Sequence, residues 1–337
     1  MSVKLVAELS ANHNHKIEIA KDTIRAAKES GADAVKLQTY TPDTLTIDCD
    51  NDYFKLTQGT IWDGTTLYQL YQQAYTPWEW HRELFAYAED IGIEIFSTPF
   101  DRSAVDLLEA LDNPIYKIAS FEITDLPLIN YAASKGKPMI ISTGIATLDE
   151  IEAAVSACRN QGCDDITLLQ CTSEYPARPE DANLLTMLDL KKRFDVKIGL
   201  SDHTMGFEVP VVAASMGAAL IEKHFIIDRG IGGPDATFSM TPDELLEMTE
   251  KIRNIEKILG RVNYEIDDSK EKSRTFSRSL FVVEDVKKGQ MVTEKNVRSI
   301  RPGYGISPKY LEKILGEKFT EDVERGTPMR WELIRRV

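Results

Sequence analysis

Eight short apolar stretches, six of them ending in a polar residue and each followed by a helical segment, recur through the first 260 residues. They are KLVAEL (4–9), AVKLQ (34–38), IEIFS (93–97), YKIAS (116–120), PMIIS (138–142), ITLLQ (166–170), VKIGL (196–200) and ALIEK (219–223). In the first segment between them, Ala20, Ile24 and Ala27 recur at helical spacing. Strands that alternate with helices pair in parallel, and eight such units predict a (β/α)8 TIM barrel. A doubly wound sheet is the alternative, but no GxGxxG follows the first strand.

Composition limits the class of protein. No stretch approaches the roughly 18 apolar residues of a membrane span, and the N-terminus lacks the apolar core of a secretory signal. The four cysteines, Cys49, Cys158, Cys163 and Cys171, form no CxxC, so we expect reduced thiols and a cytoplasmic location. A net charge of −14 argues against binding to nucleic acid. An anionic substrate therefore needs a local cluster of positive charge.

The pattern changes after the barrel. We expect a catalytic barrel domain over 1–260, a polar linker over 261–277, and a small, mostly β domain over 278–337 with Gly and Pro turns. More than thirty residues separate the second strand from the helix near 78–90, including CDNDYFKLTQGTIWDG (49–64). Long loops at the carboxyl ends of barrel strands usually cover the active site.

Strand parity predicts which side chains face into the barrel. Apolar neighbours on the other face turn Glu8, Lys36 and Gln38 inward, and they turn Glu222 and His224 inward as well. The polar set near strand ends is Glu8, Lys36, Lys117, Glu122, His203, Glu222 and His224. Buried charges need partners or a function. The alternative is that these charges have no function beyond forming ion pairs, such as Lys36–Glu222, that fill a polar barrel core.

Two histidines at the ends of successive strands suggest a metal site. Neighbouring strands are about 4.8 Å apart, so His203 and His224 could bind one ion, with water or a carboxylate such as Asp235 as further ligands. His13 is a third candidate, or a hydrogen-bonding residue of a loop. The cations and hydroxyls of the same face suit a phosphate or carboxylate; they are Lys36, Lys117, Ser120, Ser142, Thr143 and Ser201.

Motifs in order along the chain resemble the sialic acid synthase family. They are AELSANHN (7–14), GADAVKLQTYTPDTL (31–45), FSTPFD (96–101), YKIASFE (116–122), STGIAT (142–147), CTSEYP (171–176), GLSDHTMGF (199–207), IEKHF (221–225) and GPDATFS (233–239). The segment from 278 onward resembles that family's C-terminal antifreeze-like (SAF, β-clip) domain. Within the family, AELSANH and LQTYTPDTLT are most similar to the pseudaminic acid branch.

The resemblance implies a transferase that forms a C–C bond. Phosphoenolpyruvate condenses with an acetamido sugar aldehyde and water, giving a nine-carbon 2-keto sugar acid and phosphate. For the pseudaminic branch the sugar is 2,4-diacetamido-2,4,6-trideoxy-L-altrose; N-acetylneuraminic or legionaminic acid synthesis from the corresponding sugar is the alternative. The implied cofactor is a divalent metal, Mn2+, Mg2+ or Co2+.

The resemblance also implies roles for individual residues. The implied metal ligands are His203 and His224, and the implied catalytic residues are Glu8, which handles the attacking water, Glu122 and Lys117. The implied phosphoenolpyruvate contacts are Lys36, Thr98, Lys117, Ser120, Ser142, Ser173 and Ser201; Ser173 stands where many relatives have Asn. The implied sugar contacts are Glu122, Tyr175, Asp235 and Arg301.

Arg301 implies an assembly, because its counterpart in the family reaches the barrel of a partner subunit. We therefore expect a domain-swapped homodimer and neither nucleic acid nor a membrane as a partner. Two other classes stay open at this point. One is a non-catalytic sugar- or ice-binding protein that uses the antifreeze-like segment, and the other is a metal hydrolase on a barrel scaffold.

Overall fold

The computed structural model describes residues 2–57, 59 and 61–335. The chain divides into two compact units, Met1–Gly260 and Arg261–Val337. In the first unit eight parallel strands close into a barrel, each paired with the next in sequence and β8 with β1. The strands are β1 Lys4–Glu8, β2 Ala34–Thr39, β3 Glu94–Pro99, β4 Tyr116–Ile118, β5 Met139–Ser142, β6 Ile166–Cys171, β7 Lys197–Asp202 and β8 Leu220–His224. The predicted barrel is confirmed, strand by strand.

Helices follow the strands as predicted. They are α1 Ile17–Glu29, α2 Pro42–Leu45, α3 Leu67–Ala74, α4 Trp78–Ile91, α5 Arg102–Glu109, α6 Leu126–Ala133, α7 Leu148–Asn160, α8 Leu185–Phe194, α9 Glu208–Ser215 and α10 Pro242–Leu259. Their ends have local causes. In α7, Thr147 and Glu150 form a reciprocal capping box, and α4 stops at Gly92, whose φ of 72° a residue with a Cβ tolerates poorly.

One strand is shorter than its sequence predicts. The stretch 116–120 forms a strand only at Tyr116–Ile118, and Ser120–Glu122 forms a 3-10 turn closed by the Glu122 N–H bond to the Ala119 carbonyl. This turn places Ser120 and Glu122 at the carboxyl end of β4, where the candidate site lies.

Strand parity is confirmed on the outer face of the barrel. Leu5, Leu37 and Ile221 are fully or almost fully buried in the core between strands and helices. Their neighbours along the strands point inward and stack in layers one pleat apart, about 7 Å. The floor layer is apolar and consists of Val6, Ala34, Phe96, Ile140, Leu169 and Leu220.

Polar layers lie above the floor layer. Two positions further along the same strands come Glu8, Lys36, Thr98, Ser142 and Glu222, which form the ionic layer together with Lys117 and Ser201. Two positions beyond that, Ser10, Gln38, His203 and His224 form the mouth layer. Over three inward-facing positions, the barrel interior therefore changes from apolar side chains to charged ones and then to hydroxyl, amide and imidazole groups.

The second unit has its own small core. Antiparallel strands β9 Ser279–Val282 and β10 Val297–Ile300 pair with each other, as do β11 Lys318–Phe319 and β12 Ile334–Arg335. The short helices are α11 Asp268–Arg274 and α12 Leu311–Ile314. Leu280, Val297 and Phe319 are buried at its centre. The mostly β character expected for this segment is present, and α11 lies in the stretch expected to be a linker.

All four cysteine thiols are free. Across the described residues, no helix combines the length and the apolar character that a membrane crossing requires.

The floor layer should carry much of the barrel's stability. Phe96 is fully buried inside the barrel, so we expect Phe96→Ala to lower the free energy of unfolding by about 3–5 kcal/mol. Urea unfolding followed by circular dichroism measures the change. Phe276→Ala, at a ring that is 71% exposed, is the matched control and should change it by less than about 0.5 kcal/mol. Equal effects would contradict the assignment of Phe96 to a packed floor layer.

Candidate active site

Lys36 is a buried cation held between two buried carboxylates. Its Nζ lies 2.6 Å from Oε2 of Glu8 and 3.8 Å from Oε1 of Glu222, and it donates to Oγ1 of Thr98 at 3.1 Å. Lys117 joins from the next strand but one, with Nζ 3.9 Å from the same oxygen of Glu222. The predicted Lys36–Glu222 contact is present, but Glu8 is the nearer partner. Two lysines and two glutamates thus form a compact network at the base of the site.

Burial and mutual attraction move the pKa values of this network in different directions. Burial lowers the pKa of Lys117 and raises that of Glu8. For Lys36, burial alone would lower the pKa, but Glu222 and Glu8 raise it overall. Lys117 and Lys36 outweigh burial at Glu222 and lower its pKa. Of the two carboxylates of the network, Glu8 therefore has the higher proton affinity, which suits a general base.

The serines predicted to contact phosphoenolpyruvate lie at or just after the carboxyl ends of the barrel strands. Ser201 donates to Glu222 at 3.2 Å, and Ser173 donates to Ser120 at 2.9 Å. Ser142 is fully buried, and its hydroxyl has no hydrogen-bond partner. A Cβ on Gly144 would lie 2.5 Å from the Ser173 hydroxyl and 2.9 Å from that of Ser120, so only glycine lets the backbone approach both.

The two imidazoles predicted to bind metal lie together. Their ring centroids are 5.3 Å apart. Nδ1 of His203 donates to the Thr172 carbonyl at 2.8 Å, which fixes its tautomer and leaves the lone pair of Nε2 available to a metal ion. Nδ1 of His224 is buried without a hydrogen-bond partner, 3.9 Å from the Asp235 carboxylate. These donors fit a divalent metal bound by two imidazoles.

The protein alone does not complete a coordination sphere. Among the described residues, no three His, Cys, Asp or Glu side chains converge into a metal site. His13 does not join the pair, because its ring nitrogens contact the Thr76 hydroxyl and the His15 N–H, and its ring packs on Trp80. A bound ion would therefore keep positions for water or substrate, as in catalytic rather than structural sites.

Two of the predicted sugar contacts, Tyr175 and Asp235, lie beside the imidazoles. The Tyr175 ring is 4.3 Å from that of His203. Asp235 accepts from Ser10, which in turn accepts from Gln38, and Gln38 also donates to Glu8 at 2.9 Å. Glu122 is half-buried at the end of β4, and its buried Oε2 has no partner. Arg301 belongs to the second unit, where it is exposed.

Two features of the site were missed from the sequence. Trp62, in the long connection after β2, packs on Tyr175 with ring centroids 5.6 Å apart and donates from Nε1 to the Pro234 carbonyl at 3.0 Å. With Phe238, which is 5.0 Å from the His224 ring, these residues form an aromatic wall beside the imidazoles. Ser10 was missed too, although it stands two positions after Glu8 and parity places it inward.

Unpartnered polar atoms concentrate in this region. In the described part of the chain, eight buried side-chain atoms have no hydrogen-bond partner. Four of them belong to Glu122, Ser142, Glu222 and His224, and a fifth, Oε2 of Glu8, has only its ion pair with Lys36. Proteins rarely leave such atoms unpaired. The concentration indicates that this end of the barrel is built to receive polar ligands.

Glu122 should titrate near neutrality. Burial raises its pKa from 4.5 to about 7, and the positive charge of Lys117 opposes this only in part. A raised carboxyl pKa contributes stability that is complete below the unfolded-state value and is lost as pH rises through the folded-state value. Between pH 5 and 8 we therefore expect the melting temperature of Glu122→Gln to rise relative to that of the wild type. Melting curves across this range test it, and parallel pH profiles would contradict it.

Comparison with known proteins agrees with the geometry. Residues 23–264 match the NeuB family and residues 277–335 the SAF domain. The chain is 49% identical to pseudaminic acid synthase of Helicobacter pylori over 99% of this chain and 98% of that protein. It is 37% identical to N,N'-diacetyllegionaminic acid synthase of Legionella pneumophila over 99% and 95%.

A solved structure supports the same assignment. N-acetylneuraminic acid synthetase of Leptospira borgpetersenii, in complex with citrate, superposes with a TM-score of 0.72 at 32% identity, covering 81% of this chain and 90% of that one. NeuB-family synthases are generally metal-dependent. Since the family match spans most of the barrel and the relatives span nearly the whole chain, the protein belongs to the NeuB family, with a C-terminal SAF domain.

Proposed function

We propose that this protein is a pseudaminic acid synthase, which condenses phosphoenolpyruvate with 2,4-diacetamido-2,4,6-trideoxy-L-altrose and water. The observation that supports it most directly is the Lys36–Lys117 pair next to His203 and His224 at one end of the barrel. The two ammonium groups, which would bind an enol phosphate, then lie one inward-facing layer below the two imidazoles, which would bind a metal. The 49% identity to a pseudaminic acid synthase supports this choice of sugar.

The ionic layer would bind phosphoenolpyruvate. Lys36 and Lys117 supply positive charge in a chain whose net charge is −14, and the hydroxyls of Thr98, Ser142 and Ser201 lie in the same layer. Ser120 and Ser173, which meet over Gly144, add two more at the carboxyl ends of their strands. Charge-assisted hydrogen bonds of this kind fix both the phosphate and the carboxylate.

The mouth layer would bind the sugar aldehyde. When a divalent ion such as Mn2+, Mg2+ or Co2+ is held by His203 and His224, it supplies Lewis-acid polarisation of the aldehyde oxygen. Glu8 lies one layer below, and Gln38 donates to its Oε1. This orients its second oxygen, next to Lys36, to take the proton of the water that adds at C2. Glu122 and Asp235 would contact the sugar.

The aromatic wall supports a 6-deoxy sugar. Trp62, Tyr175 and Phe238 present hydrocarbon next to the imidazoles, where a methyl group is accommodated at no desolvation cost. Such a wall rejects an added hydroxyl only about 100-fold. Legionaminic acid synthesis is the second candidate, because its synthase is also similar over nearly the full chain.

Phosphate release tests the proposal. With Mn2+ and phosphoenolpyruvate, we expect turnover with the 2,4-diacetamido sugars, and the highest kcat/KM with the altrose derivative. Glu8→Gln should lower kcat by about 100-fold or more. Val262→Ala, at an exposed side chain of the second unit, is the matched control and should be fully active. No turnover with any acetamido hexose would exclude the proposed reaction, and full activity of the Glu8 variant would exclude the assigned role.

We also propose that the active form is a dimer in which Arg301 acts on the barrel of the other subunit. The side chain is exposed in the turn after β10, so it is available to a partner. A small domain that contacts a neighbour's substrate makes catalysis depend on assembly.

Mixing two impaired variants tests this arrangement. We expect Arg301→Ala to raise the KM for the sugar by about 10-fold or more, since a charged hydrogen bond is lost. When it is co-expressed with Glu8→Gln, hybrid dimers contain one intact site, and random pairing restores about a quarter of the wild-type sites. Each variant expressed alone is the control. Absence of restoration would show that Arg301 acts within its own chain or not at all.

The cytoplasm is the proposed location. The four cysteines are free thiols, as in proteins of reducing compartments, and phosphoenolpyruvate is a metabolite of that compartment.

A further inference from the structure

Lys223 is a buried charge on the apolar face of a barrel strand. It alternates with Ile221 and Phe225, which are fully buried in the core between barrel and helices, and is itself only 2% exposed. An ammonium group in such surroundings is costly unless it is fully paired. In the sequence IEKHF, Lys223 therefore occupies a position at which the surrounding core favours an apolar side chain.

The partners of Lys223 all belong to one short segment, residues 202–206, which begins at the last residue of β7. Its Nζ donates to Oδ2 of Asp202 at 2.8 Å and to the carbonyls of Thr204 and Gly206 at 2.5 and 3.2 Å. An ammonium has three donors, so its capacity is used. Lys223 cannot bind substrate in this arrangement, and its effect is to hold the 202–206 segment.

That segment carries His203. Asp202 also accepts from the backbone N–H of Thr204 at 3.2 Å and from its hydroxyl at 3.0 Å, so the residues on both sides of His203 are fixed. The His203 carbonyl accepts from Ala177 N–H at 3.0 Å. Only the ring of His203 is left to face the barrel mouth.

The other imidazole belongs to the residue next to Lys223. The backbone of Lys223 continues directly into His224, while its side chain holds the segment with His203. One lysine thus connects the positions of both imidazoles, although it contacts neither ring.

We propose that Lys223, paired with Asp202, is a positioning residue that sets the spacing of the His203 and His224 rings and hence the affinity for a divalent metal. This inference rests on the metal site of the proposed function. The competing explanation is an ion pair that only stabilises the fold, as many buried pairs do. The two explanations differ in what happens to metal affinity in a variant that still folds.

Direct metal titration separates them. Mn2+ is titrated into metal-free full-length protein without substrates, and free Mn2+ is followed by electron paramagnetic resonance. We expect Lys223→Met to raise the Kd by about 10-fold or more, the range typical of residues that orient metal ligands. An unchanged Kd in folded Lys223→Met would overturn the inference.

A matched control removes a partly buried polar contact of the same helix-facing layer. The Tyr116 hydroxyl, on β4, donates to Glu109 at 2.7 Å. Tyr116→Phe should lower the melting temperature and leave the Kd for Mn2+ unchanged. If it raised the Kd as much as Lys223→Met does, loss of stability alone would explain the effect, and the inference would fail.

A second variant covers misfolding of the first. If Lys223→Met does not fold, Lys223→Met combined with Asp202→Asn leaves no unpaired buried charge, and it should show the same rise in Kd; an unchanged Kd would again overturn the inference. The wild type distinguishes this from failure of the metal site itself. If the His203→Ala variant bound Mn2+ as tightly as the wild-type protein does, the proposed metal site would be wrong, whatever the result with Lys223.

Discussion

The site depends on keeping Lys36 charged inside a closed barrel. A lone ammonium there would lose its proton or destabilise the fold. Two carboxylates balance its charge. Glu8 lies on β1, which is next to β2, and Glu222 lies on β8, which is next to β1. With Lys117 the network contains equal numbers of positive and negative groups. An anionic substrate and a cationic metal can then enter together without leaving the interior with a large uncompensated charge.

Much of this arrangement could be predicted from the sequence, because it follows from local rules. Alternation of strand and helix gave all eight strands. The two-residue period of a strand placed Glu8, Lys36 and Glu222 inside, since their neighbours Leu9, Leu37 and Ile221 belong to the outer core. The β4 strand ended early because Ser120 begins a turn, which apolar patterning does not reveal.

What could not be predicted are contacts between residues far apart in the chain. Glu8 rather than Glu222 is the nearest partner of Lys36, because Glu8 and Lys36 are opposite each other on the adjacent strands β1 and β2, and neither strand's own sequence reveals that register. Trp62 lies in a connection without strand or helix periodicity, so nothing local linked it to Tyr175. For Lys223, parity indicated an outward side chain, but its partners follow only from the shape of the 202–206 segment.

The stacked layers have a consequence for how such a barrel can change over evolution. Ala34 and Lys36 sit one pleat apart on the same strand, as do Val6 and Glu8. The interior is close-packed, so a bulkier side chain at Ala34 has no free volume to occupy except toward the ammonium above it. Substitutions in the floor layer would therefore change both the stability of the barrel and the activity of the ionic layer, so that the two layers would evolve together.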